Sequence, residues 1–297
     1  MTPNKACSFV LLLFAFALIA GAITPAPLGA QDSAAIRQRL HVVDSTKIQV
    51  ITMRDGSSLV GRIVDVRADT VDFQMGIGRV PVAIRDIHEI SESESGRVHA
   101  GQYWFPNPNS TRLFFAPTGQ MLKKGEGYFS DYELFFPGFA YGVTDNLSIG
   151  GGVSIFPAGF DEQVYYVTPK VGASVSDRVH LAAGFLFAGT SGGTGGVGYG
   201  VGTFGDGDAS ATIGLGYGFA GGEIESKPVA MLGGEKRVSR RIALVSENYL
   251  LPVSDNNIVY SFGIRFMGEK LTTDLAIFNM SGSGIIGIPY VDFVFKF

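Results

Sequence analysis

Eight charged side chains, Lys170, Glu235, Arg237, Glu247, Arg265, Asp274, Asp292 and Lys296, fall on the polar side of segments whose other side is apolar. Their signs are mixed. A passage that selects one kind of ion needs a ring of one sign, whereas mixed charges in a low-dielectric interior are costly unless they pair. The expected chemistry is mutual pairing, first of Arg265 with Asp274 and then of Asp292 close to Asp274, because neighbouring antiparallel strands bring such groups together. Catalytic patterns are weak by comparison. His41, His88 and His99 have no Ser, Asp or Cys at a spacing that implies a triad. Four scattered histidines and a single cysteine, Cys7, offer no metal cluster. The glycines from Gly192 to Gly207 lack the Gly-Lys-Ser/Thr of a phosphate loop and precede no helix. The sequence therefore predicts no enzyme, no metal and no cofactor.

Strict alternation marks the elements that must position these charges. Ile258, Tyr260, Phe262, Ile264 and Phe266 share one side of a segment, with Ser261, Gly263 and Arg265 on the other. Leu271, Leu275 and Ile277 oppose Thr272, Asp274 and Ala276 in the next. Val291, Phe293, Phe295 and Phe297 oppose Tyr290, Asp292 and Lys296 at the chain's end. Val179, Leu181, Ala183, Phe185 and Phe187 point one way, with His180, Ala182 and Gly184 opposite.

Turn chemistry then predicts twelve strands, at about 111–118, 127–142, 146–156, 163–175, 178–189, 195–204, 208–220, 226–238, 241–251, 257–267, 270–279 and 285–297. Ten is the alternative if the Gly-rich stretch is partly loop. Tight connections at Thr144-Asp145, Ser176-Asp177, Asp206-Gly207, Ser239-Arg240 and Gly268-Glu269 alternate with longer ones, including Gly119 to Glu126 and Thr190 to Thr194. Apolar outside, polar inside, with short turns at one end and both termini there, is the pattern of a transmembrane antiparallel β-barrel over 111–297. Small inward residues fit either a narrow lumen filled by a few large side chains or a smooth passage.

The preceding chain is organised differently. Lys5, the apolar run Phe9 to Ala20 and the small residues up to Ala30 read as a cleaved signal peptide over 1–30. A polar linker, 31–46, leads to a small β module over 47–90, with Asp55-Gly56 as its first turn, and a charged connector fills 91–110. Without Cys7 the mature chain has no thiol. The composition, 41 Gly, 12% aromatic and 17% charged, includes no second run long enough for a membrane helix. The net charge of −4, about −5 without Lys5, argues against a nucleic-acid partner.

Val291, Phe293, Phe295 and Phe297 resemble, position by position, the C-terminal signal of bacterial outer-membrane barrels. That resemblance implies recognition by the barrel-assembly machinery and an outer-membrane location. Asn107 to Arg112, Pro117-Thr118-Gly119, Leu122 to Tyr128 and Tyr141 to Gly150 are similar to the opening of uncharacterised Gram-negative outer-membrane barrel proteins, which implies a location but no activity. Asn107 to Thr111 reads there as the turn that starts the first strand, and Lys123-Lys124 as part of the first outer loop, where they could meet lipopolysaccharide phosphates. The outer-membrane phospholipase is also a twelve-stranded barrel, but its His two residues before a Ser is lacking, since His180 precedes Leu181 and Ala182. Asp55-Gly56, Gly61 and Ile84 to Ile87 resemble the turns and last strand of an SH3-like or Sm-like small barrel. The resulting expectation is an all-β chain: a twelve-stranded outer-membrane barrel with an SH3-like periplasmic module. Its role would be a narrow pore for small solutes, or a non-conducting barrel whose module or outer loops bind a cell-envelope partner.

Overall fold

The computed structural model describes residues 36–44, 47–94, 98–99, 102–157, 159, 162–252, 258–281 and 287–297. The expected signal peptide at 1–30 lies outside them. The chain forms two compact units, Met1–Trp104 and Phe105–Phe297.

In the first unit, β1 (Lys47–Met53), β2 (Ser58–Val66), β3 (Thr70–Met75), β4 (Gly78–Ala83) and β5 (Ile87–Glu94) form an antiparallel sheet in the order β4-β3-β2-β1-β5. Apolar residues of one strand face meet in a core of Ile51, Ile63, Val71, Phe73, Val82, Ile84 and Ile87. The β1–β2 turn has Gly56 at φ +83°, and the Ser57 backbone N–H and hydroxyl donate to Asp55 Oδ1 at 2.8 and 2.6 Å. These two donors hold the Asp55 carboxyl below the usual carboxylate range. Gln49 is fully buried and fills a gap in the ladder, accepting from the Ile63 N–H at 2.8 Å beside a register shift in β2. The sequence reading ended the module's last strand at Ile90 and began it at Ile84. Instead Ile84–Asp86 is a 3-10 turn, and β5 runs on through Glu94 because its backbone pairs with β1 as far as Lys47. Phe73→Ala should remove about 3–5 kcal/mol from this unit. Hydrogen exchange over β1–β5 in the full chain should rise accordingly, and unchanged protection would contradict the core assignment.

A two-residue hairpin, β6 (Val98–His99) with β7 (Gln102–Tyr103), precedes the second unit. The wall of that unit begins with β8 (Gly127–Tyr132), β9 (Phe136–Thr144), β10 (Leu147–Val153), β11 (Tyr165–Val167) and β12 (Lys170–Ser176). It continues with β13 (Val179–Thr190), β14 (Gly193–Gly205), β15 (Ala209–Ala220), a two-residue extension β16 (Glu223–Ile224), and β17 (Val229–Ser239). It ends with β18 (Ile242–Leu250), β19 (Ile258–Met267), β20 (Leu271–Met280) and β21 (Ile288–Lys296). β11 and β12 both pair with β10 and β13, so they are halves of one strand interrupted at Thr168-Pro169. The wall thus has twelve antiparallel strands, and β21 pairs with β8 to close it. Phe297 completes the seam, exchanging backbone hydrogen bonds with Gly127 at 2.9 and 3.2 Å.

Twelve was the expected number, but two errors offset one another in reaching it. The segment expected as one strand, 127–142, is the hairpin β8–β9, which turns at Glu133 and Leu134, both at positive φ (54° and 63°). The segment expected as the first strand, 111–118, is absent from the wall. The Gly-rich stretch is a full thirteen-residue strand, β14, which removes the ten-strand alternative. The connection expected to be long after β13 has only two residues, 191–192.

Alternation sets the two faces. In β19 the odd-numbered side chains Ser261, Gly263 and Arg265 are turned in and buried, while Tyr260, Phe262, Ile264 and Phe266 are exposed outside. The exterior is a continuous apolar surface including Leu181, Phe185, Ile213, Leu215, Leu232, Leu275, Phe293 and Phe295. None of the described helices is long and apolar enough to cross a membrane.

Candidate functional site

Residues 105–122 occupy the barrel's interior, at the end that carries the short turns and both chain ends of the wall. Local sequence explains why this piece is not a wall strand. Leu113, Phe114, Phe115 and Ala116 are four apolar residues in a row, so neither face would be polar. The piece folds back on itself instead: the Leu113 N–H donates to Ala116 O at 2.8 Å, and Thr118 N–H to Thr111 O at 3.0 Å. Leu113 and Phe114 are buried; Phe115 remains half exposed at the tip.

The wall holds this inner segment mainly through charged groups. Glu247, fully buried on β18, accepts the backbone N–H groups of Phe114, Phe115 and Ala116 at 2.8, 3.0 and 3.0 Å, and the Tyr249 hydroxyl at 2.6 Å. Three successive amides around one carboxylate replace the ladder that a strand would have provided. Arg265 on β19 uses every donor it has. Nε and Nη2 donate to Asp274 at 2.8 and 2.7 Å, Nη1 to Glu235 at 2.6 Å, and the remaining two N–H groups to Asn109 O at 3.0 Å and Leu113 O at 2.7 Å.

Asp274 and Asp292 lie opposite one another in the β20–β21 register, a like-charged pair that needs two cations. One is Arg265. The other is Arg112 from the inner segment, which donates to Asp292 and to Phe114 O and stacks over the Tyr132 ring at 4.5 Å. Lys170 on β12 donates to three inner-segment carbonyls, Thr111, Thr118 and Gln120, at 3.1, 3.1 and 2.7 Å. Arg237 donates to Phe105 O at 2.6 Å and to Asp208 at 2.8 Å. Lys296 is different: it pairs with Glu126 at 3.1 Å near the rim and stays a quarter exposed.

Asp208, Tyr249 and Thr203 take part in this network without having been singled out in the sequence, and Asn107, Asn109 and Arg112 were noted there only within the opening segment, not as charge partners. Asn107 Nδ2 donates to Glu235 Oε1 at 2.7 Å, while Thr203 Oγ1 accepts the Gly119 N–H at 2.7 Å. The missing alternation at 113–116 was the available signal. Asn107 to Thr111, expected to start the first strand, is part of the inner segment. Lys123 and Lys124 do not lie among the long loops, because the Lys124 N–H is bonded to Asp145 in a short turn and Gly125 to Gly142 at the same end. The fold also brings Ser174 Oγ to His180 Nδ1 at 2.8 Å across β12–β13, and no carboxylate joins them among the described residues. No group of three or more His, Cys, Asp or Glu among the described residues could hold a metal.

Small residues in the wall and in the inner segment let the two approach closely. A Cβ on Gly233 would sit 2.4 Å from Leu113 Cδ1, and a Cβ on Gly119 would lie 2.2 Å from the His180 carbonyl oxygen. The second contact is with backbone, which cannot swing aside. Gly119→Ala should therefore push the segment off Thr203, and amide exchange over 118–121 should increase while β13 and β14 stay protected. An unchanged exchange pattern would show that the close approach does not hold the segment.

No protein-family model matches the sequence, and no curated protein matches it. The structural resemblances found are weak ones, with TM-scores below 0.5. The KdgM porin in complex with disordered oligogalacturonate matches at 10% identity and a TM-score of 0.45, covering 58% of this chain and 98% of that one. The NanC porin gives 10% identity and a TM-score of 0.39, with coverages of 58% and 97%. OmpT, an outer-membrane protein of Vibrio cholerae, gives 11% identity and a TM-score of 0.33, with coverages of 86% and 100%.

Proposed function

We propose that the chain is an outer-membrane β-barrel whose lumen is stoppered by its own residues 105–122, and that small solutes pass through it by a narrow route only when this segment shifts. The observation that carries the reading is the combination of a closed wall with an apolar exterior and an interior lined by ion pairs. In water that exterior would be a contiguous patch far larger than soluble monomers expose; against lipid it is the expected solvent-facing surface. Twelve strands, with both wall ends beside the short turns, fit outer-membrane barrels, in which short turns face the periplasm. Phe293, Phe295 and Phe297, with Val291, then serve as the signal to the assembly machinery. Lipid and lipopolysaccharide surround the belt and outer loops.

The first unit fits an SH3-like periplasmic module: β5-β1-β2-β3-β4 order with a 3-10 turn before the last strand supports that likeness. A cell-envelope partner is the role proposed for it. A second reading is a permanently non-conducting barrel, favoured by the complete use of Arg265's donors on the stopper and its acids.

Planar-bilayer conductance separates the two. On the pore reading the intact chain should show brief openings and on the second reading none, while a chain with 105–122 replaced by a Gly-Ser segment of equal length should conduct steadily. Steady current through the intact chain would refute the stopper. Silence from the folded replacement variant would refute the pore.

A further inference from the structure

Above the stopper, toward the loop end, the barrel interior holds a half-open cavity of about 460 Å³. That is within the range of small-molecule sites, roughly 300–1,000 Å³. Its floor is the stopper itself, through Phe115, Ala116 and Pro117. Its sides include Leu186, Val197, Val201, Val229 and Met231, and the lining is mostly apolar. Water gains little from such walls, and an apolar body displaces it favourably.

The polar groups of the cavity indicate what the body should carry. Tyr132, Tyr166 and Tyr199 line it, and no described residue hydrogen-bonds to their hydroxyls. Phe115 and Tyr132 present a stacked pair, with centroids 5.6 Å apart and planes 15° from parallel. Such rings favour an aromatic guest, offset-stacked or edge-on. The two cations in the lining are already engaged, Lys170 by three carbonyls and Arg112 by Asp292 and Phe114 O. An anionic guest would lose its hydration and find no free donor with which to form an ion pair.

We propose that this cavity is a binding site for an uncharged, largely apolar aromatic molecule with one or two hydrogen-bonding groups, the tyrosine hydroxyls serving as its polar partners. The site rests on the seated stopper, which forms its floor.

The test uses the full chain in amphipol with two fluorescent probes of the same skeleton, neutral N-phenyl-1-naphthylamine and its sulfonated analogue, 8-anilino-1-naphthalenesulfonate. The neutral probe should bind saturably at one per chain, and at least tenfold more tightly than the sulfonate. Ala140→Trp, which fills the cavity from β9, should weaken it at least tenfold; Tyr199→Phe, which removes one hydroxyl, should weaken it a few fold. Leu232→Ala, on the exterior, should leave it unchanged. Gel migration without boiling confirms that each variant is folded, and Tyr199→Phe decides the matter if Ala140→Trp is not. Non-saturable binding, equal affinity for the sulfonate, or indifference to both cavity variants would overturn the proposal. The Gly-Ser replacement should lose the probe and gain conductance together if both readings hold. Conductance gained in a barrel whose intact form never bound the probe would sink the site alone.

Discussion

Arg265→Met should lower the unfolding temperature of the barrel by on the order of 10 °C, read as the loss of heat-modifiable migration on a gel. The side chain is fully buried and bonded to Asp274, Glu235 and two stopper carbonyls. Removing one partner of a buried ionic cluster costs about 3–5 kcal/mol, because the remaining charges have neither water nor a counterion. At roughly 2–4 °C per kcal/mol for a domain of this size, the shift follows. The loss should be larger than for Lys296→Met, whose charge is near the rim with Glu126. If both variants unfold together with the parent, the buried network is not what holds the wall and stopper as one body. The paired substitution of Arg265 and Asp274 by apolar residues should recover part of the loss, since replacing a whole buried pair is far less costly than breaking it.

A second large effect is expected at Glu247, and it falls on the stopper rather than the wall. Glu247→Leu keeps the bulk but removes the acceptor of three consecutive amides, at Phe114, Phe115 and Ala116, and of the Tyr249 hydroxyl. A buried N–H without a partner costs about 1–3 kcal/mol, so the tip should leave its seat for water a substantial fraction of the time. Amide exchange at 113–116 should rise by at least about a hundredfold, and bilayer recordings should show intermittent openings. The strands β19–β21 should keep their protection, because their ladders do not involve Glu247. Glu247→Gln should be intermediate: its amide oxygen still accepts, while its NH2 group faces donors. Tip amides as protected in Glu247→Leu as in the parent would remove Glu247 from the anchoring role.

The two faces of each strand were legible from alternation alone. Period-two alternation is a property of extended backbone, so Arg265, Asp274, Asp292 and Tyr290 could be assigned to one side of their strands and Phe262, Leu275 and Phe293 to the other without knowing any partner. Turn dipeptides such as Ser176-Asp177 and Ser239-Arg240 likewise bounded the strands locally. What the inward groups bond to became visible only once the chain was folded. The amides of Phe114 to Ala116 find their acceptor 131 to 133 residues later in the chain, and Arg112 finds Asp292 180 residues away. Within 111–118, an apolar tetrad next to an arginine is equally short and greasy whether it pairs edge to edge in a wall or folds back inside one. The choice depends on whether the barrel closes without it. Once β8 and β9 divide at Glu133-Leu134 and β21 pairs with β8, no strand edge remains, and the segment's unpaired amides turn to the buried carboxylate in the lumen.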